Sequence, residues 1–393
     1  MVGVNQKEIR VGMIGYQFMG KAHSHAYRDL PFYFDTETKP VMQAIAGRHE
    51  EAVKKAADNF GWASYETDAL KLIERDDIDL IDIVTPNNTH AEFAIAAAQA
   101  GKHVLCEKPL ALNLRDAKKM LDAVHKAGVV NMVSHNYRFS PAVQLAKKLI
   151  QENRLGKIYH IRAQYLQDFI MDPQFPLVWR LQKEVTGSGA LGDIGAHIID
   201  LARFLVGEIN EVVGLMETFI KERPIGKMSG GLSAIGHESE MGKVTVDDAA
   251  AFLARFENGA LGVFEATRFA GGNRNGNRFE INGEKGSIRW DLENMNNLEV
   301  YLADDDPGLQ GFRTINCTEA HHPFAGRYWP PGHIIGYEHT FINLLYELMH
   351  GITTGKNSSP TFEDGVRNQA VLEAVEKSAE TGNWVSVSAL LKE

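Results

Sequence analysis

The chain has few cysteines and an excess of negative charge. Its 393 residues include only two cysteines, Cys106 and Cys317, which cannot form a disulfide framework and are typical of the reducing cytoplasm. Acidic residues outnumber basic ones by 51 to 41, so neither a nucleic acid nor an anionic membrane is an expected partner. The N-terminal segment has no apolar signal-peptide core, and no run of about 18 apolar residues follows. We therefore expect a soluble cytoplasmic protein.

The sequence patterns of metal sites and of nucleophilic enzymes are also missing. The histidines His321, His322, His333 and His339 have no zinc-site spacing, and the chain contains no C-x-x-C pair. It contains neither a Walker loop nor a nucleophilic serine motif. We predict that no metal ion is bound.

What the chain does have is an alternation of strand and helix patterns over its first third. Short apolar runs such as 9–15 and 78–86 have the length of buried strands, and helical patterns of 10 to 15 residues separate them. This alternation predicts a doubly wound parallel sheet, a Rossmann domain over residues 1–135.

The pattern changes after this domain. Strand patterns, including hairpins within 249–269 and 277–292, predict an α/β domain over 136–393 with a large open, mostly antiparallel sheet. We expect its C-terminal helix to pack back on the first domain. The segments 221–246 and 305–335 lack periodicity, which predicts long loops that form lids or interface arms, or that are disordered.

The stretch "GMIGYQFMGKAH" (12–23) follows the first strand and opens the first helix. Gly15 and Gly20 occupy the first and third places of the dinucleotide fingerprint G-x-G-x-x-G, whereas Gln17 replaces the second glycine. Since the Gln17 side chain can point away, a bound dinucleotide with a shifted pyrophosphate is the favoured interpretation. The alternative is a purely structural turn.

The second strand ends at Gly47-Arg48, where NAD-binding domains usually carry an acid for the ribose hydroxyls. An arginine can pair with the 2′-phosphate of NADP, so the cofactor is NAD or NADP with a weak preference for NADP. Alternatively, Arg48 is solvated or stacks on adenine.

Two further stretches carry candidate catalytic residues. Lys108 in "CEKPLA" follows a parallel strand, next to the crevice in which such sheets bind ligands. In "GSGALGDIGAHIIDLARFLVG", Asp193 opens a helix and His197 lies one turn later on the same face. A histidine beside a carboxylate suits a general base, although a capping aspartate with a buried core histidine gives the same pattern.

These motifs, together with "IVTPNNTHAE", "NYRF" and "SPTFEDGVRNQAVLEA", resemble the Gfo/Idh/MocA family of sugar and inositol oxidoreductases over nearly the whole chain. The resemblance implies that Lys108 orients a substrate hydroxyl, that His197 transfers its proton and that Asp193 tunes His197. It also implies that the cofactor is bound by Gly15, Gly20, Thr85, Asn87, His90, Glu107 and Lys108. The glycine turn and the end of the second strand add Gln17, Phe18, Met19 and Arg48 as candidate cofactor-binding residues.

Within the family, "YLQDF" and "PLVWRLQK" are most similar to the branch that oxidises C3 of pyranosides and of the anhydrosugar levoglucosan. The expected activity is NAD(P)-dependent oxidation of a secondary sugar hydroxyl to a ketone. Candidate sugar contacts are Tyr137, Arg138, Tyr165, Gln167, Asp168, Trp179, Arg180, His333 and Tyr337. Alternatives are an inositol dehydrogenase, a redox-assisted glycosidase and a dinucleotide-sensing regulator. We also expect a homo-oligomer, either a dimer or a tetramer.

Overall fold

A computed structural model of the chain describes residues 6–230 and 233–393. Its backbone forms two units. One contains the residues up to Asn136 together with Tyr337–Val366, and the other contains Tyr137–Gly336 together with Arg367–Glu393. The predicted boundary between 135 and 136 lies one residue from the observed one. The second domain is predicted to cover 136–393, and within this range Tyr337–Val366 groups with the first unit.

The first unit contains a six-stranded parallel sheet in the order β3-β2-β1-β4-β5-β6. Its central strands β4 and β5 are buried and mostly apolar, and the left-handed glycines Gly61 and Gly128 end two of its helices. The predicted Rossmann architecture is therefore confirmed. In chain order the elements are β1 (Lys7–Ile14), α1 (Phe18–Tyr33), β2 (Thr38–Ala46), α2 (Glu50–Phe60), β3 (Ser64–Glu66), α3 (Ala69–Glu74), β4 (Leu80–Ile83), α4 (His90–Gln99), β5 (His103–Cys106), α5 (Leu114–Ala127) and β6 (Asn131–Val133).

The returning segment of the first unit carries a long helix, Tyr337–Thr354, which is α9 in chain order. This helix packs against α1 and the start of β2. The ring of Tyr33 lies 5.9 Å from that of His339, and the hydroxyls of Thr38 and Thr353 are 3.1 Å apart. These contacts join residues about 300 positions apart, so local sequence patterns contain no trace of them.

The second unit contains a nine-stranded sheet in the order β16-β15-β14-β13-β7-β12-β11-β8-β17, in which only the pair β7 and β12 is parallel among the strands described. The predicted open, mostly antiparallel sheet is confirmed. Its elements are α6 (Pro141–Gln151), β7 (Ile158–Leu166), α7 (Lys183–Thr186), α8 (Ala196–Leu205), β8 (Ile209–Glu217), β9 (Glu222–Gly230), β10 (Ser233–Lys243), β11 (Ala249–Phe256), β12 (Leu261–Thr267), β13 (Gly276–Gly283), β14 (Gly286–Asp291), β15 (Asn297–Leu302), β16 (Arg313–Asn316), α10 (Phe362–Thr381, its first turn in the first unit), β17 (Val385–Ser386) and α11 (Val387–Lys392).

Two local expectations in this unit were wrong. The segment 221–246 is not an irregular loop, since β9 and β10 pair there as an antiparallel ribbon. Backbone pairing in a two-stranded ribbon does not require alternation of apolar residues, so periodicity missed it. The segment 305–335 is irregular for most of its length, as expected, and contains the short strand β16. Asp193 does not open α8, because it lies inside a preceding π-helical turn, Leu191–Gly195.

Two further observations concern the described residues as a whole. Throughout 6–230 and 233–393, no helix combines the length and apolar character that crossing a membrane requires. Over the same residues, no group of three or more His, Cys, Asp or Glu side chains is placed to hold a metal ion.

Candidate active site

The glycine turn between β1 and α1 is the first candidate element of the site. Gly15 has φ of +110°, and its N–H donates to the carbonyl of Ala46 across 2.9 Å. A Cβ on Gly15 would lie 2.8 Å from the carbonyl oxygen of Val84, and one on Gly20 would lie 2.7 Å from that of Gly15. Both positions therefore require glycine. Gln17 is exposed at the N-cap of α1, which leaves the first turn of the helix accessible to a pyrophosphate.

The loops that follow β4 and β5 are joined by His90. Its two ring nitrogens lie 2.9 Å from the carbonyl oxygen of Thr85 and 3.0 Å from that of Pro109, and the side chain is fully buried. The Thr85 hydroxyl lies 2.6 Å from that of Thr89. His90, which the family resemblance suggested as a cofactor-binding residue, is therefore buried between the two loops and contacts the backbone of both.

A buried ionic cluster lies between α1 and the ends of β4 and β5. His23 Nδ1 is 2.8 Å from Asp82 Oδ2, and His23 Nε2 is 3.0 Å from Glu107 Oε1. The hydroxyl of Ser134 lies 3.3 Å from the same Nε2. His23 is 1% exposed and Glu107 5% exposed. The carboxylate of Glu107, a predicted cofactor-binding residue, bonds His23 and accepts the backbone N–H of Lys108 across 3.1 Å.

The charges of this cluster stabilise one another. Burial lowers the pKa of His23, but Asp82 and Glu107 outweigh this effect and raise it to about 10. Burial raises the pKa of Glu107, but the bond to His23 and its charge leave it below its usual value. An imidazolium thus joins two carboxylates beneath the loop that carries Lys108.

Candidate groups of the second unit gather around His197, which is buried on α8. Its ring centroid lies 4.6 Å from that of Tyr137 and 5.7 Å from that of Tyr165. The two tyrosine hydroxyls are 3.0 Å apart, and that of Tyr165 donates to Asn275 Oδ1 across 2.7 Å. Because the Tyr165 hydroxyl donates its single proton to Asn275, the Tyr137 hydroxyl must be the donor in the hydrogen bond between the two tyrosines. Gln167 donates to the same Asn275 oxygen across 3.1 Å.

Asp193 lies near two arginines. Arg180 Nη1 is 3.8 Å from Asp193 Oδ1, and Arg268 Nη1 is 3.8 Å from Asp193 Oδ2. Arg268 is fully buried and donates to the carbonyl oxygen of Asp247. The Asp247 carboxylate accepts the N–H groups of Gly189 and Leu191 at 2.6 and 2.8 Å, and its burial raises its pKa. The "GSGALGDIG" segment is thus fixed by charged groups on both sides.

Two family models match most of the chain. Residues 9–135 match the model of the oxidoreductase family with an NAD-binding Rossmann fold, and residues 143–289 match the model of the GFO/IDH/MocA C-terminal domain. The chain belongs to the Gfo/Idh/MocA family.

Relatives of this Gfo/Idh/MocA chain extend over nearly its whole length. Levoglucosan dehydrogenase of Pseudarthrobacter phenanthrenivorans is 45% identical over 97% of this chain and 98% of its own. A structure of levoglucosan dehydrogenase in complex with NADH and levoglucosan is 44% identical, covers 97% of this chain and 100% of that one, and has a TM-score of 0.92. The oxidoreductase domain protein from Kribbella flavida is 50% identical with the same coverages and TM-score.

Several residues that the family resemblance suggested as sugar contacts have other partners. Arg138 is 2% exposed and forms a bidentate ion pair with Asp200, with Nε–Oδ2 and Nη2–Oδ1 distances of 2.7 and 2.6 Å. This ion pair holds the guanidinium in the interior. Asp168 accepts the Gly272 N–H and Arg274 Nη1, both across 3.1 Å, so it organises a turn.

The remaining predicted sugar contacts are more accessible. Arg180 lies over the Trp179 ring, 4.4 Å from its centroid, and both are half-buried. His333 is exposed, with its Nδ1 2.9 Å from the carbonyl oxygen of Pro330. Tyr337 belongs to the first unit, where its ring packs edge-on against Phe341.

Sequence reasoning missed several residues of these clusters: His23, Asp82, Ser134, Asp247, Arg268 and Asn275. His23 stands at the i+3 position from Gly20 on the buried face of α1, a spacing that could have marked it as an inward-facing polar group. Arg268 directly follows a strand and Asn275 lies in a connection, so local patterns contain nothing that distinguishes them from surface residues.

Proposed function

We propose that this protein oxidises a secondary hydroxyl, at C3, of a pyranose, a pyranoside or an anhydrosugar such as levoglucosan. The observation that carries the proposal is the His197, Tyr137, Tyr165 and Asn275 cluster in a chain 45% identical to levoglucosan dehydrogenase. A basic ring next to an ordered series of hydroxyl and amide groups suits the recognition and deprotonation of a polyol.

The residues of the chain fit a nicotinamide dinucleotide. Gly15 and Gly20 form a tight turn with no space for a Cβ at either position, and this turn leads into the N-terminus of α1, which can bind the pyrophosphate. When bound, the nicotinamide ring supplies the hydride acceptor. We assign the binding of the dinucleotide to the glycine turn, Thr85, Asn87 and the Lys108 loop. The buried His90 and Glu107 position these loops.

The catalytic roles are distributed over three side chains. His197 takes the proton of the substrate hydroxyl, and Lys108 orients that hydroxyl and stabilises its developing negative charge. Asp193, held near Arg180 and Arg268, tunes His197 electrostatically. Tyr137, Tyr165, Gln167 and Asn275 hold the other sugar hydroxyls, while Trp179 and Tyr337 offer aromatic surfaces to the sugar.

A substrate panel tests this function. We expect levoglucosan or a glucoside with a free 3-hydroxyl to outperform myo-inositol, with reduced nicotinamide appearing in equal amount to keto-sugar. NMR of the product identifies the oxidised carbon. A strong preference for inositol, oxidation at C1, glycoside cleavage without net reduction of cofactor, or binding of dinucleotide without turnover of any sugar would each contradict the proposal and favour one of its alternatives.

We further propose that the protein is a cytoplasmic homo-oligomer. The cytoplasmic location is supported by Cys106 and Cys317, both unpaired and buried. Oligomerisation is supported by the outward face of the nine-stranded sheet. There, Leu253 of β11 pairs with Val263 of β12, each 48% exposed, and Leu215 of the neighbouring β8 is 74% exposed. A contiguous apolar surface of this kind is typical of an interface between subunits.

Light scattering tests the oligomer. We expect the wild-type mass to be a multiple of the 43.6 kDa chain, and the double variant Leu253→Glu/Val263→Glu to fall to 43.6 kDa, because two carboxylates cannot be buried unpaired in an apolar interface. Leu309→Glu is the control, since Leu309 is 81% exposed outside the sheet. A stable wild-type monomer at micromolar concentration would refute the proposal.

A further inference from the structure

The end of β2 is the place where a Rossmann domain usually distinguishes NAD from NADP, through an acid that binds the ribose hydroxyls. Here β2 ends at Ala46, and Gly47 and the exposed Arg48 follow. The acid at the end of the neighbouring β3, Glu66, has another partner, since its carboxylate accepts a bond from Arg75 across 3.2 Å. The ribose position of this sheet therefore needs a different determinant.

Tyr16 occupies the space in which a side chain of residue 47 would begin. Gly15 donates to the carbonyl of Ala46 across 2.9 Å, so the glycine turn is tied to the end of β2 and Tyr16 lies beside Gly47. A Cβ on Gly47 would lie 2.1 Å from Cε1 and 2.4 Å from Cδ1 of the Tyr16 ring. Contacts this short are sterically forbidden. The ring therefore packs directly on the bare backbone of Gly47, and any side chain at residue 47 requires the Tyr16 ring to move.

We propose that Tyr16, packed on Gly47, replaces the ribose-binding acid and determines the choice of cofactor. A phenol can bond a ribose hydroxyl or a phosphate oxygen, whereas a carboxylate repels the 2′-phosphate. With Arg48 as the adjacent cation, the site accepts NADP at least as well as NAD. This inference concerns only the dinucleotide site and is independent of which sugar is oxidised.

The Tyr16→Ala/Gly47→Asp double variant tests the pair through binding titrations of NAD and NADP without any sugar. Because the double variant makes room for the acid, we expect it to bind NAD at near the wild-type level and to lose at least about tenfold in NADP affinity. Gly47→Asp alone should weaken both cofactors, because its side chain and the Tyr16 ring compete for one space. Arg48→Ala should weaken NADP more than NAD.

Matched neutral variants separate the steric effect from the charge. Gly47→Ala should weaken the binding of both cofactors through the clash with the Tyr16 ring. Tyr16→Ala/Gly47→Ala should relieve the clash but still bind both cofactors less tightly than wild type, because the phenol that bonds the ribose is missing and no acid replaces it. The melting temperature of the ligand-free protein measures the steric clash at residue 47. Gly47→Asp should lower the melting temperature, and adding Tyr16→Ala to Gly47→Asp should raise it again. A wild-type NADP to NAD ratio in Tyr16→Ala/Gly47→Asp, or an identical behaviour of that variant and Gly47→Asp, would overturn the role of Tyr16. Failure to oxidise any sugar would affect only the proposed function.

Discussion

Replacing His197 with alanine should lower kcat by about 10²–10⁴-fold, the usual contribution of a general base. The reason is that His197 supplies the imidazole of its cluster, whereas its neighbours Tyr137, Tyr165, Gln167 and Asn275 supply hydroxyl and amide groups. NAD affinity should remain near the wild-type level, because His197 belongs to the tyrosine cluster and not to the glycine turn that we expect to bind the dinucleotide. Stopped-flow or steady-state oxidation of the best sugar, with a titration of NAD, measures both quantities.

The controls for this experiment come from the same chain. His125→Ala removes an exposed imidazole from the last turn of α5 and should leave the rate unchanged. Lys108→Ala should lower kcat and also weaken cofactor binding, and Asp193→Asn should retain more activity than His197→Ala. The assignment fails if a folded, NAD-binding His197→Ala variant oxidises the substrate at the wild-type rate.

Replacing His23 with alanine should lower the free energy of unfolding by about 3–5 kcal/mol, the usual effect of removing one partner from a buried ion pair. The variant leaves Asp82 and Glu107 in the interior without the imidazolium that lies 2.8 and 3.0 Å from them. Urea titrations provide the measurement. His25→Ala is the control on the same helix, because its pair with Asp29 is about a third exposed and should contribute less than about 1 kcal/mol. Equal effects of the two substitutions would contradict the proposed importance of the cluster.

The contribution of His23 should also depend on pH in a defined direction. Its pKa in the folded protein is raised from 6.5 to about 10, so the charged form stabilises the fold. This contribution is complete below the unfolded pKa of about 6.5, decreases as the pH rises, and is lost near pH 10. The difference in unfolding free energy between wild type and His23→Ala should therefore narrow from neutral pH to about 10. A difference that stays constant over this range would disprove the charged state of His23.

Local sequence patterns by themselves determined the alternation of elements in the first unit and the glycine turn. A run such as Leu80–Ile83 is buried on both faces whatever its neighbours are, and Gly15 is required by a backbone angle that only local geometry sets. The hairpin of β11 and β12 could also be predicted from the sequence, because a short turn joins two strands in which buried and exposed residues alternate. Such features depend on residues that are close together in the chain.

The tertiary structure alone decided which polar groups meet. His23 pairs with Asp82 and Glu107 at separations of 59 and 84 residues, and Tyr165 reaches Asn275 across 110. The same holds for Arg138, which resembles a ligand-binding arginine in sequence and becomes a buried ion pair with Asp200 once α8 is in place. Side-chain partners are fixed by the packing of whole elements, and residue spacing along the chain carries no information about that packing. The role of Tyr16 follows from the same rule, because only the folded sheet sets its ring against Gly47.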